Sequence, residues 1–414
     1  MPIARLQLTD FTVFKQASFE FCPGINVLMG ENGTGKSHVL KAMYVALRGA
    51  AEVAEFKKTA PTSEIRPEAR YFIKIATVFR PDSHELHRLI RRSEKFWALQ
   101  LLAVGGEGLE MRCKQRGADY LSVVSSLRSQ PTLFVPPREV LAMYKGFVAA
   151  YESRELDFDE THYDICKALG AAPLRGARAE AVRDLLAPLE KILGGKVLLK
   201  GDRFYVQQGD AETEAHLLAE GLRKIAGLAY LVANGSLTRD TVLFWDEPEA
   251  SLNPRLVVQV VEFVRALARA GVQVFLASHD FLLLHRLSQP AEHALESAVP
   301  IRFFSLYRPK SAAAVEVETG ATLADIEHNA ILDEFASYYD DERAYSWRDM
   351  TGEAPPAKPS GKPVRRASTT TPARRAPNKV RTRKASAERP PRQQSAKKQS
   401  AKKLAAKKKA AKKS

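Results

Sequence analysis

Three short segments of the chain carry residue types that could do phosphate chemistry together. Gly30-Glu31-Asn32-Gly33-Thr34-Gly35-Lys36-Ser37 matches the phosphate-loop pattern G-x-x-x-x-G-K-[ST] at every fixed position. It follows the apolar run Ile25–Met29 and leads into Val39–Met43, which reads as a helix. Strand, glycine turn and helix are the context the pattern needs. The glycines let backbone N–H groups wrap an anion, and the helix adds its positive end. Lys36 is placed to reach the β- and γ-phosphates of a nucleoside triphosphate, and the Ser37 hydroxyl to ligate Mg²⁺. The second segment, Thr241–Glu249, is an apolar strand ending in Asp246-Glu247. Beside a phosphate loop, Asp246 can hold Mg²⁺ through its waters while Glu247 takes a proton from the attacking water. The third, Val272–Asp280, is a buried-type strand ending in Ser278-His279. An imidazole there can touch the γ-phosphate and the same water. Trp245 reads as a packing residue.

These segments need a frame. Short strands are expected at Ile3–Leu8, Ala17–Phe21 and Ile25–Met29, then at Tyr71–Phe79, Phe96–Val104, Leu109–Cys113 and Leu133–Val135. Lys57–Pro67 reads as a surface loop. Arg138–Leu193 has helical spacing, and Lys196–Gln207 reads as a hairpin around Gly201-Asp202. A helix over Glu220–Val232, a strand over Val242–Asp246, a helix over Pro254–Ala270 and a strand over Val272–Ala277 follow. A strand pair (Ile301–Tyr307, Ala314–Glu318) and a helical segment (Leu323–Glu342) come last. The expected fold is α/β: a P-loop NTPase core over 1–345, interrupted by an antiparallel β subdomain at about 70–136 and a helical insertion at about 138–195.

Charge is unevenly spread. The 414 residues hold 63 Lys/Arg and 48 Asp/Glu, a net of +15. Of these, 21 basic residues and one acid, Glu388, fall in 355–414, which leaves a mildly acidic body. From Ala354 onward apolar residues give way to Pro, Ala, Ser, Thr, Lys and Arg, a composition that cannot offset chain entropy by burial. The 354–414 tail is therefore expected to be disordered. With no aromatic residue, it suits nonspecific binding to a duplex backbone rather than base stacking. Cys22, Cys113 and Cys166 form no CxxC pair and suit structural thiols. No signal peptide or membrane span is evident, so a soluble cytoplasmic protein with no membrane partner is expected, possible nucleoid association coming through the tail.

Gly24–Ser37, Asp246–Pro254 and Ala277–Asp280 resemble the ABC-type ATPase heads without membrane domains, the group of the SMC, RecF and overcoming-lysogenisation-defect (OLD) proteins. The resemblance runs in order through residues 1–345. It implies ATP as the nucleotide, Asp246 as the Walker B aspartate, Glu247 as general base, His279 as switch histidine, and Ser251–Asn253 on the loop that crosses to a partner subunit. The family's signature, Leu-Ser-Gly-Gly-Gln or a relaxed form, is best matched by Leu218-Ala219-Glu220-Gly221-Leu222-Arg223-Lys224. Ala219 replaces the serine, while Glu220, Gly221 and the helix start remain to meet a partner's nucleotide. No glutamine-loop residue is found; Leu133–Glu139 is the nearest segment and lacks the glutamine. The resemblance implies an ATP-dependent homodimer. The chain carries neither the long coiled coil of SMC proteins nor a segment resembling the OLD nuclease domain. An ATPase acting on DNA or a partner protein is expected, in DNA maintenance or phage defence. The alternative is a nucleotide-gated module with negligible turnover that controls an effector protein. A kinase would explain the phosphate loop but not the other two strand ends.

Overall fold

The computed structural model describes residues 2–59, 66–116, 118–295, 299–310 and 313–351. The 354–414 tail, and the nucleic-acid role expected of it, lie outside the described residues.

In chain order, β1 (Ile3–Phe11) and β2 (Phe14–Glu20) form a hairpin, and β3 (Ile25–Met29) leads through the phosphate loop into α1 (Lys36–Thr59). After α2 (Pro67–Phe79) come β4 (Phe96–Ala103), β5 (Gly108–Arg116), β6 (Ala118–Ser125) and β7 (Thr132–Val135). The helical insertion is α3 (Phe147–Glu152), α4 (Glu160–Leu169), α5 (Ala177–Glu180) and α6 (Arg183–Leu193). A three-stranded meander follows: β8 (Lys196–Lys200), β9 (Arg203–Gln208) and β10 (Ala211–Glu214). The chain continues with α7 (Glu220–Ala233), β11 (Val242–Asp246), α8 (Pro254–Arg269), β12 (Gln273–Ser278) and α9 (Phe281–Glu292). β13 (Ile301–Tyr307), β14 (Glu316–Gly320) and α10 (Ala330–Thr351) come last.

The central sheet has the order β14-β13-β3-β12-β11-β7, with β13, β3, β12, β11 and β7 parallel. Every residue of β3, β11 and β12 is buried, as two-sided coverage of a parallel sheet requires. Val27, Met29, Leu243, Trp245, Val274 and Leu276 face one core with α7, α8 and α9. Leu28, Phe244, Phe275 and Ala277 face the other, with α1 and the antiparallel sheet. Trp245 is a packing residue, wholly buried.

Three expectations change. Tyr71–Phe79 is not a strand but the body of α2. Pro67 sits at the helix start, and Tyr71, Ile75 and Val78 are buried at helical spacing. Gly49 of α1 makes room for this helix: a Cβ there would lie 2.4 Å from the Tyr71 ring. The antiparallel portion does not begin near residue 70. Its five strands run β2-β1-β4-β5-β6, so the N-terminal hairpin supplies two of them, and β7 belongs to the central sheet instead. Strands β6 and β10 and helix α9 are additional. Among the described residues no helix is long and apolar enough to cross a membrane.

Candidate functional site

Parallel register brings the three chemical segments to one edge of the sheet. Ser278 pairs with Met29 and Ala277 with Asp246, so β3, β12 and β11 end side by side at their carboxyl ends. In open α/β sheets that edge is where ligands bind. β12 lies between the other two, so His279 emerges between the phosphate loop and the Asp246-Glu247 pair.

The loop is shaped by its glycines. Gly30, Gly33 and Gly35 have φ of 141°, 77° and 93°. A Cβ on Gly30 would lie 2.2 Å from the Leu306 carbonyl oxygen, and one on Gly35 2.9 Å from the Phe14 ring. Glu31, Asn32 and Gly33 form an exposed lip, whereas Thr34 and Lys36 are buried. The Thr34 hydroxyl donates to the Glu31 carbonyl at 2.8 Å. Lys36 Nζ donates to the Gly30 carbonyl at 2.7 Å and to the Glu31 carbonyl at 3.0 Å. The ammonium thus lies across the mouth of the loop, where a phosphate would take over its protons. Burial pushes the Lys36 ammonium down, and Asp246, Glu247, Glu249 and Glu31 partly offset this.

Asp246 is 4% exposed. Burial pushes its carboxyl up to about 6, opposed by the hydrogen bond from Ser37, while Glu247 raises it further. A desolvated carboxylate beside the hydroxyl at the head of α1 fits a divalent cation: together they offer two oxygen ligands in a site whose charge needs a counter-ion. Glu247 follows with φ of 47°, sparsely populated for a non-glycine residue. Its N–H donates to the Ala277 carbonyl at 2.9 Å. His279 Nδ1 lies 3.8 Å from Glu247 Oε1 and 3.8 Å from Glu249 Oε1. Both the Glu247 and His279 side chains remain partly open to solvent.

The signature segment is placed differently. Glu220 is exposed in the first turn of α7, and Ala219 at the N-cap supplies no side-chain hydrogen bond. Gly221 is buried against Ser251 and Leu252. Among the described residues, no hydrogen bond or ion pair joins Glu220 or Gly221 to the phosphate loop.

Four contacts join these parts, and the sequence did not disclose them. Glu249 Oε1 accepts from Ser278 Oγ at 2.8 Å and from the His279 N–H at 3.1 Å, latching the β11 and β12 ends together. Lys224 Nζ donates to the Glu247 carbonyl at 2.8 Å; burial pushes this ammonium down to about 8. Glu139, just past β7, pairs with Arg223 at 2.6 Å, so the segment nearest in position to a glutamine loop holds α7 by charge. Lys41, on α1, meets Asp159 at the start of α4 at 2.9 Å. Asp246-Glu247-Pro248-Glu249 was a visible pattern, but the roles of Glu249, Lys224, Glu139 and Lys41 depend on long-range packing.

Comparisons with known proteins bear on the family to which this fold and these motifs point. A family model described as "AAA domain" matches residues 5–91, and one described as "AAA domain, putative AbiEii toxin, Type IV TA system" matches 140–285. The DNA replication and repair protein RecF of Acidothermus cellulolyticus is 27% identical over 263 residues, covering 54% of this chain and 69% of that protein. RecF of Salmonella typhi is 37% identical over 73 residues, 18% of this chain and 19% of its own length. Among solved structures, the SMC head domain from Thermotoga maritima aligns with a TM-score of 0.41 at 14% identity, over 77% of this chain and 99% of that one. The family models cover both the phosphate-loop portion and the portion holding α7, β11 and β12. These matches, together with the motifs, support an ABC-type ATPase of the SMC/RecF group.

Proposed function

We propose that the chain binds ATP with Mg²⁺ at Gly30–Ser37, hydrolyses it with Glu247 as general base, and uses the cycle to close and open a homodimer on DNA or on a partner protein. The observation that carries this reading is the convergence of the β3, β12 and β11 ends, with Ser37 beside Asp246 and His279 facing Glu247 at 3.8 Å. Lys36 and the loop N–H groups would bind the phosphates. Ser37 and Asp246 would hold Mg²⁺, which when bound neutralises charge on the phosphates. Glu247 would accept the proton of the attacking water, and His279 would orient that water beside it. In a dimer, Glu220 and Gly221 at the start of the partner's α7 would close over the nucleotide, a helix end that favours anions. The RecF relatives are named for DNA replication and repair, which supports DNA maintenance as the setting; phage defence is the other. The 354–414 tail would serve as a nonspecific nucleic-acid anchor for a cytoplasmic, nucleoid-associated protein.

A second reading, a nucleotide-gated module that regulates an effector with negligible turnover, is favoured by one observation: the α7 start has no side-chain hydroxyl to offer a partner's phosphate. Steady-state ATP hydrolysis with and without duplex DNA, against Glu247→Gln as blank, separates the two. Loss of a general base costs about 10²–10⁴-fold in rate, so wild-type turnover should exceed the blank by that order. ATP-bound Glu247→Gln should run as a dimer on size exclusion. Wild-type turnover equal to the blank would defeat the hydrolytic reading and leave the gated module.

A further inference from the structure

Lys224 lies in the second turn of α7 with 5% of its surface exposed. A buried ammonium is costly unless its protons are bonded. Here the acceptors are main-chain: Nζ donates to the Glu247 carbonyl at 2.8 Å and to the Ala250 carbonyl at 3.3 Å. The lysine therefore fixes the path of the backbone that leaves β11. That path is strained, with φ of 47° at Glu247 and 64° at Ser251. Something must over-determine such a conformation for it to persist.

The same face of α7 meets this turn at a second place. Gly221, three residues earlier, leaves no room for a side chain, since a Cβ would lie 2.8 Å from the Ser251 carbonyl oxygen. The first two turns of α7 are thus seated directly on the 247–251 turn. Arg223 points elsewhere, to Glu139 and to the Leu218 carbonyl at 2.8 Å. Charged groups facing Lys224 come from both elements: Glu249, Glu247 and Asp246 from the β11 end, Glu220 from its own helix. On the far side of the turn, Glu249 is held by Ser278 and the His279 N–H.

We propose that Lys224 is a positioning residue through which the start of α7 sets the backbone, and so the carboxylate direction, of Glu247. Displacement of the first turn of α7, where a partner's nucleotide would press, then re-aims the base. The inference rests on Glu247 acting as the general base, and it adds a route from the signature helix to that base within one chain.

The test uses the full chain with Lys224→Met, which keeps the stem but removes the donors, and Lys224→Arg, which keeps them. Steady-state kinetics and equilibrium binding of a fluorescent ATP analogue are measured for each, alone and combined with Glu247→Gln. A positioning role predicts that Lys224→Met lowers kcat by about tenfold or more while KM and analogue affinity stay within about twofold, a loss confined to the chemical step. Lys224→Arg should recover part of that loss. Because the lysine acts through Glu247, Lys224→Met should cost nothing further in the Glu247→Gln background. Three results would overturn it: wild-type kcat in Lys224→Met, parallel loss of analogue affinity in both variants, or additive losses with Glu247→Gln. Failure of the hydrolytic reading itself would appear separately, as wild-type turnover no higher than Glu247→Gln.

Discussion

The Gly30–Ser37 loop and the start of α7 are both glycine-bearing entries into helices, yet the backbone treats them differently. Gly30, Gly33 and Gly35 adopt positive φ that a side chain would rarely tolerate. Gly221 has ordinary helical geometry and is needed only for close approach to Ser251. At the first, a buried lysine, a hydroxyl and a desolvated carboxylate meet within one chain. At the second, Ala219 leaves the helix end without a side-chain partner, and the buried cation in the next turn, Lys224, is turned back onto the protein's own turn. On the proposed reading, one chain would supply a complete half-site for a nucleotide, while its contribution to a partner's half-site would come from a helix start that has no side-chain cap.

That comparison can be broken from its strong end. Gly30→Ala places a Cβ against the Leu306 carbonyl in a conformation reserved for glycine, a penalty on the order of 3 kcal/mol. It should lower the melting temperature clearly and abolish ATP binding. A stable Gly30→Ala chain with normal affinity would mean that the loop is not shaped for an anion. The weak end can be sharpened instead. Ala219→Ser restores an N-cap hydroxyl, worth about 1 kcal/mol. Thermal melting should rise slightly, and the fraction of ATP-bound dimer in the Glu247→Gln background should increase; an unchanged dimer fraction would remove the signature role from this segment.

The smallest expected effect is one of pH. Burial raises the Asp246 carboxyl to about 6 from its ordinary 3.8. The folded state therefore binds a proton more readily than the unfolded one between these values. Without metal, this group's contribution to stability is largest below 3.8 and is lost as pH rises through 6. A bound divalent cation removes that penalty. The gain in melting temperature from ATP with Mg²⁺ should then be greater at pH 8 than at pH 5, whereas Asp246→Asn should flatten the difference.

The phosphate loop was legible in the sequence because its chemistry is local: glycines, lysine and serine at fixed spacing between a strand and a helix. The three central strands were legible for a related reason, being continuous apolar runs bounded by polar turns. Their spatial order was not, since nothing in Val242–Asp246 or Gln273–Ser278 says which lies next to β3. Tyr71–Phe79 looked like a strand because Tyr, Phe, Ile and Val crowd it. Its helical state comes from burial against α1, and from Lys74, only 1% exposed, meeting Glu52 and Glu160 at 2.7 Å each. Propensity lost to packing there. Glu249 and Lys224 could not have been given roles from spacing, because each acts on an element 23 residues or more away.

The most direct test of a complete half-site in one chain is calorimetric titration of ATP with Mg²⁺ into the wild-type chain and into Lys36→Ala. The account predicts one nucleotide per chain, dependence on Mg²⁺, and loss of measurable binding in Lys36→Ala. Binding that is absent in the wild type, or that survives unchanged in Lys36→Ala, would contradict it.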